Sequence, residues 1–247
     1  MRLRGELVET GRLDEARTQA MFALMDRYYQ NLTQERFLAD LAEKQWVILL
    51  SDPHTNELCG FSTQMLLPLS VESQKVSVLF SGDTIVAPEH WGDVALSHVW
   101  GKLALSLIDR SGATPLYWVL ISKGYKTYRF LPLFFHEFYP RRDLSTPDWA
   151  RALIDGFGRQ KFCGDYDALC GIVRANERKD RLRPGVADLT DQRLHDADVR
   201  FFVERNPGYA YGDELCCIAP LTRANFTAAA YRVIGARPVA AVPAGAI

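Results

Sequence analysis

Neither sign of charge prevails in this sequence. Its 247 residues carry 29 basic and 30 acidic side chains, a formal charge of −1. That balance lacks the basic footprint of a nucleic-acid binder and gives no general attraction to anionic membranes. Long hydrophobic runs are missing too. No stretch approaches the ~18 apolar residues of a membrane helix. The opening, MRLRGELVETGRLDEART, has no apolar region of the kind a signal peptide needs. A cytoplasmic protein without a membrane span is expected.

Other absences narrow the chemistry. The five cysteines, Cys59, Cys163, Cys170, Cys216 and Cys217, are odd in number and hold no C-x-x-C pair. They read as free thiols in a reducing compartment. The histidines show no H-E-x-x-H spacing, and His136-Glu137 alone is too little for a metal site, so no metal is expected. There is no G-x-S-x-G elbow and no Walker loop. Hydrolases of that kind and nucleotide-binding ATPases are therefore disfavoured.

What is present is ordinary globular material, 48% hydrophobic and long enough for a core without staples. Asp14 to Gln30 has the four-residue recurrence of an amphipathic helix, with Ala16, Ala20, Leu24 and Tyr28 in register and Met21 and Met25 alongside. A second helix is predicted from Thr33, a suitable N-cap, to Lys44. Trp46 to Leu50 is a short apolar run, expected as a buried strand. The turn Asp52-Pro53-His54-Thr55-Asn56 then leads into a strand from Leu58 to Leu67, a hairpin. Lys75 to Val86 predicts a third strand, broken by Pro88 and Gly92. Val94 to Ile108 predicts a helix with the stripe Leu96, Val99, Trp100, Leu103 and Leu107. Leu116 to Ile121 predicts another strand, parallel to the one before Pro88 through a right-handed crossover.

Beyond Tyr139 the pattern weakens. A helix from Asp148 to Gly156, a strand from Leu169 to Val173 and a helix from Thr190 to Glu204 are expected. A strand from Glu214 to Ile218 and a helix from Thr222 to Ile234 follow. Cys216 and Cys217, adjacent in that strand, should face opposite sides of the sheet. The fold class expected is α/β (α+β): a mixed, mainly antiparallel central sheet flanked by helices. The domains are read as a core over 1–140, an extension packed on it over 141–235, and a disordered tail over 236–247.

The segment SGDTIVAPEHWGDVALSHVWGKLALSLID, Ser81 to Asp109, carries the most specific pattern. Val86-Ala87-Pro88-Glu89 forms a V-x-P-E turn at a strand end. Gly92 sits in the loop after it, and a helix follows from Val94. This resembles the cofactor-binding segment of the GNAT acyltransferase superfamily, and the order of elements from Asp14 to Tyr139 is similar to that family as well. The resemblance implies an acyl-CoA or acyl-phosphopantetheine donor and an amine acceptor, a small molecule or a peptide. The arm's amides would pair with the strand edge Thr84, Ile85, Val86 and Ala87. Its phosphate would meet Trp91, Gly92, Asp93, Val94 and Ala95 at the helix N-terminus. Ser122, ending the next strand, is placed to hydrogen-bond the arm.

The family's loop usually reads Q/R-x-x-G-x-G/A. Here Glu89 stands where Gln or Arg is expected, and Val94 where the second small residue is expected. Glu89 and Asp93 put like charge beside a phosphate. A donor with fewer phosphates, such as an acyl-carrier protein, answers that repulsion, and Lys123, Lys126 and Arg129 could meet its acidic surface. For catalysis, Asp83 near the strand end is the first candidate for general base, with His90 in the loop as another titratable group. Tyr125 and Tyr128 lie where the resemblance implies a tyrosine acid, and Tyr128 is the better placed.

Residues Phe130 to Tyr139 include four phenylalanines and a tyrosine within ten positions. They are expected to line a pocket for an acyl chain longer than acetyl. The function expected is acyl transfer to an amine. A catalytically silent thioester-binding or protein-interaction module, and an acyl-homoserine-lactone-synthase-like enzyme, are the alternatives.

Overall fold

The computed structural model describes residues 2–72, 74–176, 180–183, 185 and 189–238. The tail residues 239–247 lie outside it. The strands are β1 Arg4–Glu9, β2 Tyr29–Gln30, β3 Trp46–Ser51, β4 Leu58–Val71, β5 Gln74–Val86, β6 Leu116–Ser122, β7 Tyr166–Asp167, β8 Ile172–Val173, β9 Arg181–Leu182 and β10 Glu214–Pro220. The α-helices are α1 Glu15–Tyr28, α2 Gln34–Ala42, α3 Ala95–Arg110, α4 Tyr125–Tyr128, α5 Phe130–Phe134, α6 Asp148–Phe162, α7 Ala197–Arg205 and α8 Ala228–Ile234.

Local chemistry sets several of these limits. Asp14 caps α1 by accepting from the Arg17 amide, Thr33 caps α2 by accepting from the Arg36 amide, and Asp196 caps α7. In the β3–β4 turn the Asp52 carboxylate accepts from the His54 and Thr55 amides. The buried stripe of α1 is Met21, Leu24 and Met25, not the alanine series. The larger side chains win because they remove more apolar surface from water.

Eight strands form one sheet in the order β1-β3-β4-β5-β6-β10-β8-β7, and β2 pairs with β9 apart from it. Within the large sheet every pairing is antiparallel except β5 with β6, which run parallel across the α3 connection. This is the mixed, mainly antiparallel sheet the sequence predicts. α3 and α8 pack on one face against Leu79, Trp118, Leu120 and Cys217. On the other face α6 covers Val78, Phe80 and Cys216, and α1 and α2 cover Val47, Leu49 and Phe61. Cys216 and Cys217 do point to opposite faces.

β1 has no counterpart in the sequence reading. Its segment RGELVE is charged and mostly exposed, and the Ser51–Trp46 edge of β3 holds it in place. A Cβ on Gly5 would stand 2.7 Å from Val99 Cγ2, so glycine lets β1 lie directly on α3. β10 is hydrogen-bonded to β6 from Leu215↔Ser122 to Pro220↔Tyr117. β10, from beyond residue 140, thus joins the same sheet as the strands before it.

Candidate active site

β5 and β6 are paired from Ser77↔Leu116 to Ser81↔Leu120 and then part. β5 runs on to Val86 and β6 to Ser122, so a fork opens between them. A cavity of about 280 Å³ occupies that fork and is lined from both faces of the sheet. On the α3 side lie Leu96, Ser97, Trp100, Trp118, Phe130 and Phe134. On the α1–α2 side lie Met25, Tyr29, Arg36, Phe37, Asp40 and Asp180, with Ser81, Asp83, Thr84, Lys123 and Glu214 between.

Asp83 stands at the fork because β5 bulges there. The register shifts between Ser62↔Thr84 and Gln64↔Ser81, so Gly82 and Asp83 together face Thr63. A bulge of this kind re-aims a side chain. Among the described residues no donor hydrogen-bonds the half-buried Asp83 carboxyl. Burial, with the Asp40 and Asp180 carboxylates adding and Lys123 and Lys44 opposing, pushes its pKa up to about 7. It is thus divided between acid and base at neutral pH.

Lys123 is a buried cation in the cavity wall. Its Nζ is 2.6 Å from Asp180 Oδ2 and 3.7 Å from Glu214 Oε1, and it lies 5.2 Å from the Tyr29 ring centroid. Burial works against its charge, yet Glu214 and Asp180 outweigh burial and hold the ammonium above the usual lysine range. The Tyr29 hydroxyl faces the cavity without a hydrogen-bond partner among the described residues. Burial keeps it protonated well past its ordinary pKa.

The β5 edge read as a place for the donor arm already carries contacts of its own. The Ala87 amide donates to the Cys59 carbonyl, and Ile85 is in register with Phe61. Alternation then turns the N–H and C=O of Thr84 and Val86 to the fork. Ile85 and Ala87 serve β4. The Val86 carbonyl already accepts from Trp91 Nε1 at 2.8 Å, and Lys126 Nζ sits 2.9 Å from the Trp91 ring centroid. Asp93 fills the start of α3: its Oδ1 accepts from the Ala95 amide at 2.7 Å and its Oδ2 from the Leu3 amide at 2.8 Å. Val94 is the exposed residue before the helix, and a Cβ on Gly92 would meet nothing within 4 Å.

Four candidates stand apart from the fork. Tyr128 is fully buried among Phe138, Phe201 and Phe202, and its hydroxyl donates to the Pro140 carbonyl at 3.0 Å. It lacks both access and a free proton. Ser122 is buried and donates to the Gly124 carbonyl. His90 closes the short turn after Pro88, with its amide on Ala87 and its carbonyl on Asp93. Tyr125 is buried and does not line the cavity. Of the basic residues read as a carrier surface, Lys123 points inward and Arg129 pairs with Asp196 at 3.3 Å. Tyr29, Asp180 and Glu214 were not legible as site residues, since nothing local marks them. Phe130 and Phe134 do line the cavity, whereas Phe135, Phe138 and Tyr139 are core.

No protein-family model matches the chain, and no curated protein does. Several solved structures are similar in part. A probable N-acyltransferase of Enterococcus faecalis is 16% identical over 51% of this chain and 31% of that one, at a TM-score of 0.40. YhbS of Escherichia coli, a GNAT family N-acetyltransferase in complex with CoA, is 14% identical over 53% of this chain and 69% of its own, at 0.38. The Saccharomyces cerevisiae N-myristoyltransferase with bound myristoyl-CoA is 16% identical over 47% and 30%, at 0.36. The match spans less than a third of the Enterococcus and yeast proteins. Likenesses this distant carry no functional weight; the fold is identified by this chain's own strands. The order of elements from α1 to β6 and the parallel β5–α3–β6 crossover are those the sequence predicts, within a mixed, mainly antiparallel sheet flanked by helices.

Proposed function

We propose that the protein transfers an acyl group from a pantetheine-borne thioester to an amine, with Asp83 as general base. The observation that carries this reading is the cavity through the sheet, whose wall holds the Asp83 carboxyl, raised toward neutrality and without a hydrogen-bond donor among the described residues. The amine nitrogen bonds to the thioester carbonyl carbon and the carbon–sulfur bond breaks. The nitrogen's proton passes to the Asp83 carboxylate. The departing thiolate receives a hydrogen bond from the Tyr29 hydroxyl and its proton from solvent. The donor arm follows the Thr84–Val86 edge, and the acceptor enters from the α1–α2 side.

The aromatic end of the cavity supports a chain longer than acetyl. Trp100 and Trp118 lie 4.6 Å apart between ring centroids, and Phe130 and Phe134 stack at 5.6 Å. Each methylene buried there contributes about 0.8 kcal/mol. In a panel of acyl-CoA donors with primary amines, read by mass spectrometry, octanoyl is expected to exceed acetyl in kcat/KM by about tenfold or more. Equal or faster acetyl transfer would remove the chain-length assignment, and no turnover of any thioester would remove the function.

A carrier-borne donor is favoured over free CoA by one contact. Asp93 already takes the Ala95 amide at the start of α3 and places a negative charge where a diphosphate would sit. Octanoyl-phosphopantetheine on a carrier protein is therefore expected to outrun octanoyl-CoA. The Trp91–Val86 hydrogen bond supplies a separate check. Trp91→Phe keeps a ring beneath Lys126 and frees the Val86 carbonyl for a donor amide. Calorimetry should show octanoyl-CoA binding about fivefold tighter, the scale of one net hydrogen bond. Unchanged or weaker binding would place the arm elsewhere.

A further inference from the structure

The bulge that presents Asp83 is held by a chain of side-chain hydrogen bonds across three strands. Trp118 Nε1 donates to Ser81 Oγ at 2.9 Å, and Ser81 Oγ donates to Gln64 Oε1 at 2.7 Å. Gln64 Nε2 donates to Ser62 Oγ at 2.7 Å, and Ser62 Oγ meets Thr84 Oγ1 at 2.6 Å. Thr84 Oγ1 donates to the Gly82 carbonyl at 3.1 Å. Since Thr84 gives its proton to Gly82, Ser62 is the donor to Thr84. Each hydroxyl proton then has one direction, set at the hub by the Gln64 amide, an acceptor on one side and a donor on the other.

The chain brackets the irregularity. Ser81 precedes the two bulged residues and Thr84 follows them, and both are tied through Gln64 on β4. Gln64 is fully buried, so no water can replace its bonds. Gly82 fits against β4 and the Lys44 stem, just past α2, with no room to spare: a Cβ there would stand 2.7 Å from Thr63 Oγ1 and 2.9 Å from Lys44 Cε. A bulge without such a tie could slip its extra residue along β5, and Asp83 would leave the fork.

We infer that Gln64 is a positioning residue, which fixes the Gly82–Asp83 bulge and thereby aims the Asp83 carboxyl into the cavity. This rests on the proposed role of Asp83, and it reaches further by assigning the control of that group to a residue that touches no substrate. The charged and titratable groups facing Asp83 are Asp40 and Lys44 from the α2 side, Tyr29 after α1, Lys123 after β6, and Asp180 before β9. None of them belongs to the hydrogen-bonded chain, so a change at Gln64 reaches Asp83 through backbone placement.

The test compares wild type, Gln64→Leu, Asp83→Asn and the double variant. Octanoyl-CoA and a primary amine serve as probes, with carbon-13 NMR of the Asp83 carboxyl across pH. With Asp83 present, Gln64→Leu is expected to lower kcat about 10²-fold, the scale of a misplaced catalytic group, with donor KM nearly unchanged. In the Asp83→Asn background the same substitution should cost nothing further, because the two act as a unit. The Asp83 titration should move toward the ordinary carboxylate range as the side chain leaves its buried position. Equal losses in both backgrounds with an unmoved titration would overturn the inference. If Gln64→Leu does not fold, Ser62→Ala breaks the chain on the Thr84 side alone and should give the same pattern in milder form. If Asp83→Asn is itself fully active, the proposed function fails, and the NMR titration still decides whether Gln64 places the carboxyl.

Discussion

Asp83→Asn is expected to lower amine acylation by about 10²- to 10⁴-fold, the usual contribution of a positioned base, while the fold persists. Asparagine keeps the shape and loses the titrating group. In the native protein the rate should rise with pH through about 7 as Asp83 ionises, then level off. That acidic limb should vanish in the variant. Stability should move the other way. Burial, then Asp40 and Asp180, raise the folded pKa above the unfolded value, so the native state binds the proton more tightly. The contribution to stability is full below the unfolded pKa of ~4 and is lost as pH rises to about 7. At pH 8 the ionised carboxylate is a burden that asparagine lacks. Thermal melts should show the variant higher at pH 8, with the gap closing below pH 4. A gain of about 2 kcal/mol is expected once solvent in the cavity is allowed for. Retained activity, or an acidic limb that survives the substitution, would remove Asp83 from the chemistry.

The parts of this site that are legible in the sequence are those written locally. The strand before Pro88, the turn and the helix after it follow from alternation, a proline and a 3.6-residue stripe. Asp83 is a candidate because it lies on that strand near its end, and it lines the cavity. Tyr128 is named for its distance from β6, yet whether its hydroxyl is free depends on Pro140, which folds back from the next loop. Tyr29 reads as one more ring at the end of α1, and only the pairing of its strand with Arg181–Leu182 brings it beside Lys123. Asp93 shows why a motif can mislead. The spacing marks a helix start suited to an anion, and the chain supplies the anion itself, with the Leu3 amide from β1's approach as the second partner. β1 is nearly invisible to periodicity, so that partner cannot be foreseen. The bulge at Gly82–Asp83 is a matter of register between two strands, which no single strand encodes.

Lys123→Met should be the most damaging single change to stability at this site. The side chain is 14% exposed, and its ammonium sits between Asp180 and Glu214, the latter 7% exposed. Methionine matches the stem and removes the charge, leaving the two carboxylates in the cavity wall without that cation. Breaking a buried pair from one side costs about 3–5 kcal/mol. For a chain of this size that is a fall in Tm of about 10 °C at pH 7. Asp83 reports the same change from another side. Lys123 lowers its pKa in the native protein, so the acidic limb of any residual activity should shift upward in the variant. Adding Glu214→Gln removes one of the two carboxylate charges that faced Lys123 and should restore part of the Tm, a coupling measured by the double-mutant cycle. A variant that melts like wild type at pH 7 would show that Lys123 neutralises nothing there, and the electrostatic account of Asp83 would lose its principal counter-charge.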